Sequence, residues 1–394
     1  MKNLVPLPLA HSTWDSEELQ ALQDVIASGI FTMGPKVAEF EKAFADYHKS
    51  KYCVMVNSGS SANFLMIAAL FFTKIGKSLK QGDEVIVPAV SWSTTYSPLY
   101  YHGLKLRFVD VDTNSLNIDV DLVEAAITLN TKAIFAVNLL GNSADYQKLI
   151  QICEKHNLIL IEDNCESLGS ENMGKRTGTF GLVSSCSAFF SHHISTMEGG
   201  LILTDDEEIY HILLSIRAHG WTRNLPPNNL ITKKSADPFF ESFRFVLPGY
   251  NLRPLEMSGA VGIAQIKKLD NLIEKRRANY FLFKDSMKPF TFIKLQEEIG
   301  SSSWFGFSMI IDESYGLSRN KLVEILIANN IECRPIVSGN IIKNEMIHYF
   351  DYSIFGNLDV ADTIHNQGLF IGNHHVDIKD GLKNLVETLQ DFLK

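Results

Sequence analysis

At 394 residues the chain has room for two to three units of average size, or for one large α/β unit with a smaller one beside it. Hydrophobic residues at 45% and charged residues at 21% exclude a disordered, collagenous or disulfide-scaffold chain. A formal net charge of −9, with no block of Lys or Arg, argues against a nucleic-acid partner.

The longest apolar run, residues 64–72, is far shorter than the roughly 20 residues that a membrane span needs. The opening MKNLVPLPLA has prolines where a signal peptide carries its apolar core, so the expectation is a soluble, cytoplasmic protein with no membrane contact. Five scattered cysteines, Cys53, Cys153, Cys165, Cys186 and Cys333, predict reduced thiols, neither a disulfide framework nor a zinc site.

In chain order, the apolar stretch 63–73 predicts a buried helix, and strands are predicted at 84–90, 104–110, 132–139, 158–162 and 201–204, the last entered from a Gly-Gly turn. EVIVPAV and LILIED are apolar on both sides, as strands of a parallel sheet covered by helices on both faces must be. The fold class is therefore α/β with a mostly parallel central sheet, whose ligands bind beyond the carboxyl ends of the strands. The polar stretch 225–237 reads as a long surface loop, followed by a helix over 254–274, a strand over 304–311, a helix over 318–329 and a final helix ending at residue 394. A division near residue 270 gives a large domain, 1–270, and a small α+β domain, 271–394.

Three segments could carry chemistry. Asn57-Ser-Gly-Ser-Ser61 leads straight into the apolar helix, where unpaired N–H groups and the dipole favour an anion; a plain helix cap reads as well. Asp163 closes LILIED at the ligand-binding edge, and strand alternation turns its neighbour Glu162 to the other face. In FFSHHISTMEGG the adjacent histidines of an irregular segment point apart, and no Cys or carboxylate at ligand spacing completes a metal site, so none is expected.

With these segments the chain resembles the sugar aminotransferases of fold type I, pyridoxal-phosphate enzymes with the aspartate aminotransferase architecture that act on nucleotide-linked ketosugars. The resemblance runs through Ser12-Thr-Trp14, Phe31-Thr-Met-Gly34, NSGSSAN, VPAVSWSTT, NLLGN, IEDNCES, RTGTFG, MEGG and PGYNLRPLEMSGA, and so covers most of the chain. In that family the residue six before the Glu of EGG is the lysine that forms an imine with the cofactor. Here it is His192, and no lysine occurs between Arg176 and Thr232. An imidazole forms no stable imine, so the cofactor must be held without a covalent tether, beside a base whose ordinary pKa is near neutrality.

The resemblance is therefore to the branch that dehydrates instead of transaminating, with a GDP-linked 4-keto-6-deoxymannose as implied substrate. A related branch uses an iron–sulfur cluster on four cysteines, which this chain lacks after residue 165. By resemblance, the phosphate of the cofactor sits on Gly59 and Ser60 with Ser187, Asn251 reaches it from a neighbouring subunit, Trp92 stacks on the ring, Asp163 pairs with the pyridine nitrogen, and Glu166 lies near the ring hydroxyl. L-Glutamate is the implied amino donor, converting pyridoxal 5'-phosphate to pyridoxamine 5'-phosphate. His192 is the implied acid and base for loss of the C3 hydroxyl. His193 reads as structural. Trp14, Met33, His219, Arg223 and Arg334 are candidates for the nucleotide-sugar cleft, and a homodimer with shared sites follows. An ordinary aminotransferase, a silent relative, and the same dehydration on another nucleotide-linked ketosugar remain as alternatives.

Overall fold

The computed structural model describes residues 5–393. Its central sheet is built from β1 (Tyr52–Val56), β2 (Glu84–Pro88), β3 (Lys105–Val109), β4 (Thr131–Val137), β5 (Ile159–Asp163), β6 (Val183–Ser187) and β7 (Gly200–Thr204). A second, four-stranded sheet uses β8 (Ile293–Lys294), β9 (Gly306–Ile311), β10 (Cys333–Arg334) and β12 (Gly368–Gly372), whereas β11 (Tyr352–Ile354) returns to the first sheet as its eighth strand. The large sheet runs β1-β7-β6-β5-β4-β2-β3-β11, parallel from β6 to β11, with β7 antiparallel to both β6 and β1. The small sheet runs β8-β9-β12-β10 and is wholly antiparallel.

The mostly parallel sheet agrees with the sequence reading, and the predicted strands lie within one or two residues of the observed ones. Three strands of the large sheet, β1, β6 and β11, have no counterpart in that reading, nor do β8, β10 and β12 of the small one. β1 is short and sits between polar residues, and β6 (VSSCS) is fully buried although three of its five side chains are hydroxyls. Those hydroxyls find partners inside: Ser184 Oγ donates to the Gly178 carbonyl and Ser185 Oγ to Asn63 Oδ1. Satisfied in this way, serine costs little in a core strand.

The first buried helix runs Gly59–Ala69, four residues earlier at each end than the apolar pattern suggests. Ser58 caps it, its hydroxyl accepting from the Ser61 N–H, and the small residues that follow fit where the helix lies on β6. The helix predicted to stop at 274 continues through Glu256–Met287, 32 residues and roughly 48 Å at 1.5 Å per residue. Its charged EKRR stretch is not an end, because Tyr280, Phe283 and Met287 beyond it enter the core of the small sheet. Residue 270 thus lies inside one helix that runs from the large core to the small one. The small core also takes in Leu7, which bridges to Ile331. The last helix is Lys379–Phe392, and residue 394 lies outside the described residues. No helix among the described residues is long and apolar enough to cross a membrane.

Candidate active site

The carboxyl ends of β1, β2, β4, β5 and β6 open on one cavity of about 490 Å³, floored by the large sheet and roofed by residues 305, 334, 335, 337 and 370 of the C-terminal part. Its position is the one that a parallel sheet assigns to a ligand. Of the residues singled out from sequence, Gly59, Ser60, Trp92, Asp163, Glu166, Ser187, His192 and Arg334 all line it.

At one end β1 passes through Ser58 into the N-terminus of helix Gly59–Ala69, and β6 brings Ser187 against it. A Cβ on Gly59 would lie 2.7 Å from Ser187 Cβ, so the glycine is what lets the two strand ends converge. Ser60 Oγ donates to Thr94 Oγ1 at 3.1 Å, completing a ring of hydroxyls around first-turn N–H groups that have no carbonyl within the helix. The arrangement is a cradle for a phosphate.

Asp163 stands in the middle. Its Oδ2 accepts from Asn63 Nδ2 and Thr95 Oγ1, both at 2.8 Å, and its Oδ1 accepts from the Cys165 N–H at 3.1 Å. Asn63 and Thr95 close the NSGSSAN and VPAVSWSTT segments, but their polar side chains do not stand out from the Ser and Thr around them; only the fold shows that both aim at one carboxylate. Glu162 points the other way, as alternation requires, and accepts from the N–H groups of Gly178, Phe180 and Gly181.

Glu166 accepts from the Leu140 N–H at 2.9 Å, and burial, opposed by that bond, pushes its carboxyl up to about 7. Trp92 heads helix Ser93–Tyr101 and leaves 58% of its surface exposed, so it is not a core tryptophan but a ring offered to whatever occupies the cavity.

His192 lies on the irregular segment 189–198, its N–H bonded to the Phe189 carbonyl and its ring 5.1 Å from that of Phe305. Nδ1 is enclosed without a partner, which leaves Nε2 as the nitrogen open to the cavity. Burial, and after it the charge of Arg276, lowers the imidazole to about 4, so it is a neutral base at physiological pH. His193 turns inward, bonded through Nε2 to the Ser303 carbonyl at 3.2 Å. No lysine among the described residues lines the cavity.

The remaining candidates lie outside the cavity lining of their own chain. Trp14 Nε1 donates to the Ser195 carbonyl, and Met33 packs against the core beside β1. His219, in the left-handed region at φ +64, stacks edge-on against Trp221, and the guanidinium of Arg223 lies 4.4 Å over the same indole. Asn251 is exposed, its Oδ1 accepting from Arg253 Nε.

The site fits a phosphorylated pyridine: a hydroxyl-lined helix N-terminus for the phosphate, a flat indole for the ring, and a carboxylate held in place by hydrogen-bond donors for a protonated ring nitrogen. Comparison with known proteins agrees. Residues 12–390 match the model of the DegT/DnrJ/EryC1/StrS aminotransferase family. The GDP-4-keto-6-deoxy-D-mannose 3-dehydratase of Yersinia pseudotuberculosis is 58% identical over 99% of both chains. That of Escherichia coli O55:H7 is 55% identical over 98% of this chain and 100% of its own. The structure of the E. coli enzyme with bound hydrated pyridoxal phosphate superposes with a TM-score of 0.96, at 55% identity over 98% of this chain and 100% of that one. A Helicobacter pylori aminotransferase of pseudoaminic acid biosynthesis shares the fold at 22% identity, with a TM-score of 0.85 over 98% of this chain and 99% of that one.

Proposed function

This chain belongs to the DegT/DnrJ/EryC1/StrS aminotransferase family, and from that premise we propose that it removes the C3 hydroxyl of GDP-4-keto-6-deoxy-D-mannose in a pyridoxamine-phosphate-dependent dehydration, with L-glutamate as amino donor. The observation that carries this reading is His192 in a cavity lined by no lysine among the described residues. A transaminase of this family without its lysine lacks both the covalent anchor of its cofactor and its proton carrier.

When bound, the pyridoxal or pyridoxamine phosphate carries an amino group from L-glutamate to the sugar's C4 and draws electrons into its protonated ring as a C–H bond breaks. This chain's residues do the rest. Gly59, Ser60 and Ser187 hold the phosphate, replacing by hydrogen bonds the grip that a lysine gives elsewhere. Asp163, fixed by Asn63 and Thr95, keeps the ring nitrogen protonated. Trp92 covers one face of the ring. Glu166, whose carboxyl burial raises to about 7, holds a proton in a substantial fraction of molecules near neutrality and can then offer a donor to the ring oxygen. His192 Nε2 takes a proton and delivers it to the oxygen at C3, which leaves as water; the enamine sugar released then hydrolyses to a 4-keto-3,6-dideoxysugar and ammonia. Arg334, the one Lys or Arg among the described residues that line the cavity, suits a phosphate of the nucleotide sugar.

Asn251, His219 and Arg223 would serve the cavity of a second copy, in a cytoplasmic homodimer. Supporting this, they share one side of the chain with Phe239, Phe240, Phe243 and Phe245, all more than half exposed.

The test is incubation with pyridoxal phosphate, L-glutamate and GDP-4-keto-6-deoxymannose, reading ammonia release and the mass of the sugar nucleotide beside a His192→Lys variant. The expected result is a sugar one hydroxyl lighter with ammonia released by the wild type and none by the variant. An amino sugar, or no turnover with cofactor bound, defeats the reading; turnover only of a ketosugar on another nucleotide replaces the GDP assignment.

A further inference from the structure

Arg276, on helix Glu256–Met287, is buried to 2% of its surface and pairs with no carboxylate among the described residues. Its Nη1 donates to three backbone carbonyls instead: Asn373 at 2.7 Å, Phe305 at 3.3 Å and Trp304 at 3.5 Å. A buried cation without a counter-charge is costly, and an apolar side chain could fill the same space.

Two of those carbonyls belong to the segment that forms the back wall of His192. Trp304 sits in the left-handed region at φ +48, and its indole stacks at 3.5 Å on Tyr280, one helical turn beyond Arg276. The next residue, Phe305, lines the cavity with its ring against both His192 and His193, and Ser303 holds His193 by its carbonyl. Helix Glu256–Met287 thus grips residues 303–305 with a guanidinium and a ring, and those residues in turn back the imidazole.

We propose that Arg276 is a positioning residue for the proton transfer: it fixes the 303–305 segment behind His192, and its unpaired charge disfavours the imidazolium, so that a proton taken by Nε2 is passed on to the departing hydroxyl. This rests on the dehydratase reading given above. The transfer balances: the proton bound at Nε2 leaves with the C3 oxygen as water, and the imidazole returns to its neutral form.

Among the described residues Arg276 bonds only backbone carbonyls; His192 shares its cavity with Asp163, Glu166, Glu198 and Arg334, and His11 faces His374 and His375. Facing Arg276 are His192 and His193 from segment 189–198 and His374 and His375 from the turn after β12; Lys275 and Arg277 flank it on its own helix, and residues 303–305 bring no titratable group. Burial first, and the Arg276 charge second, hold all four imidazoles below their ordinary range.

The test is an NMR titration of the full-length, cofactor-loaded protein carrying 13C-labelled histidine, with the His192 signal assigned by His192→Gln. In the wild type His192 should stay neutral down to about pH 5. In Arg276→Met its midpoint should rise by about one unit, and the acid limb of kcat/KM should move with it, because removal of a nearby positive charge favours the imidazolium. Arg276→Lys keeps a charge and loses the fork, so the midpoint should stay put while kcat falls about tenfold or more. A wild-type midpoint near 6.5, or an unmoved midpoint in Arg276→Met, overturns the proposal; should Arg276→Met not fold, the wild-type titration and Arg276→Lys still decide it. The titration needs no sugar, so a chain that shows these midpoints and fails to dehydrate the ketosugar overturns the functional reading, separately from the placement of Arg276.

Discussion

The two carboxyls nearest the ring site are four atoms of oxygen in contrasting company. Asp163 accepts from Asn63, Thr95, the Cys165 N–H and Ser185 Oγ, whereas Glu166 meets one N–H and a buried wall that raises it to about 7. A carboxyl raised above its unfolded value binds protons more tightly in the folded state. Its contribution to stability is therefore present in full below the unfolded value of 4.5 and is lost as pH rises through about 7. Glu166→Gln, which keeps an acceptor for Leu140 and cannot ionise, should match the wild type near pH 5 and exceed it at pH 8 by about 1–3 kcal/mol, a few degrees in melting temperature. Thermal melts of the cofactor-free protein at the two pH values read this directly, and parallel curves for both proteins would show that the carboxyl is already ionised at pH 5.

At the scale of elements, the site depends on how closely strand ends and helix starts approach. Gly59→Ala puts a methyl 2.7 Å from Ser187 Cβ, so either the helix start or the end of β6 must yield. We expect pyridoxal phosphate to bind at least about tenfold more weakly, with a stability cost of about 1–3 kcal/mol; fluorescence titration with the cofactor measures the first. Gly141, at φ +91, is tighter still, because a Cβ there would lie 2.5 Å from the backbone nitrogens of Trp304 and Phe305. Gly141→Ala should displace Phe305 from His192, lowering kcat while leaving the phosphate cradle and cofactor affinity intact.

For the whole molecule, the exposed phenylalanines of residues 239–245 are the feature that a single chain does not explain, since a patch of that kind on a soluble chain usually meets a partner. A symmetric dimer buries the same patch twice. If the proposed dimer forms, the wild type should sediment at twice the 44.2 kDa of one chain and the double variant Phe243→Asp, Phe245→Asp at that mass itself, and the variant should lose most of its turnover on the proposal that neighbouring chains share residues. An active monomer would instead mean that Asn251, His219 and Arg223 play no part in the reaction.

What the sequence determined by itself was local or periodic. Apolar runs marked five of the parallel-sheet and return strands, and the NSGSSAN turn and position 192, the latter read against the family's lysine, pointed to residues that the fold brings to the cavity; the identity of the side chain at 192 is legible in sequence because it decides whether an imine can form. What the tertiary structure decided came from contacts between distant residues. β6 is a core strand only because Asn63 and Gly178 satisfy its serines. The helix crosses residue 270 because Tyr280 and Phe283 have a second core to enter. Asn63 and Thr95 become partners of Asp163, and Arg276 a neighbour of His192, only when chain segments many residues apart are brought together. Spacing along the chain records the period of an element, but the burial and charge around a side chain are set by whatever the fold packs against it.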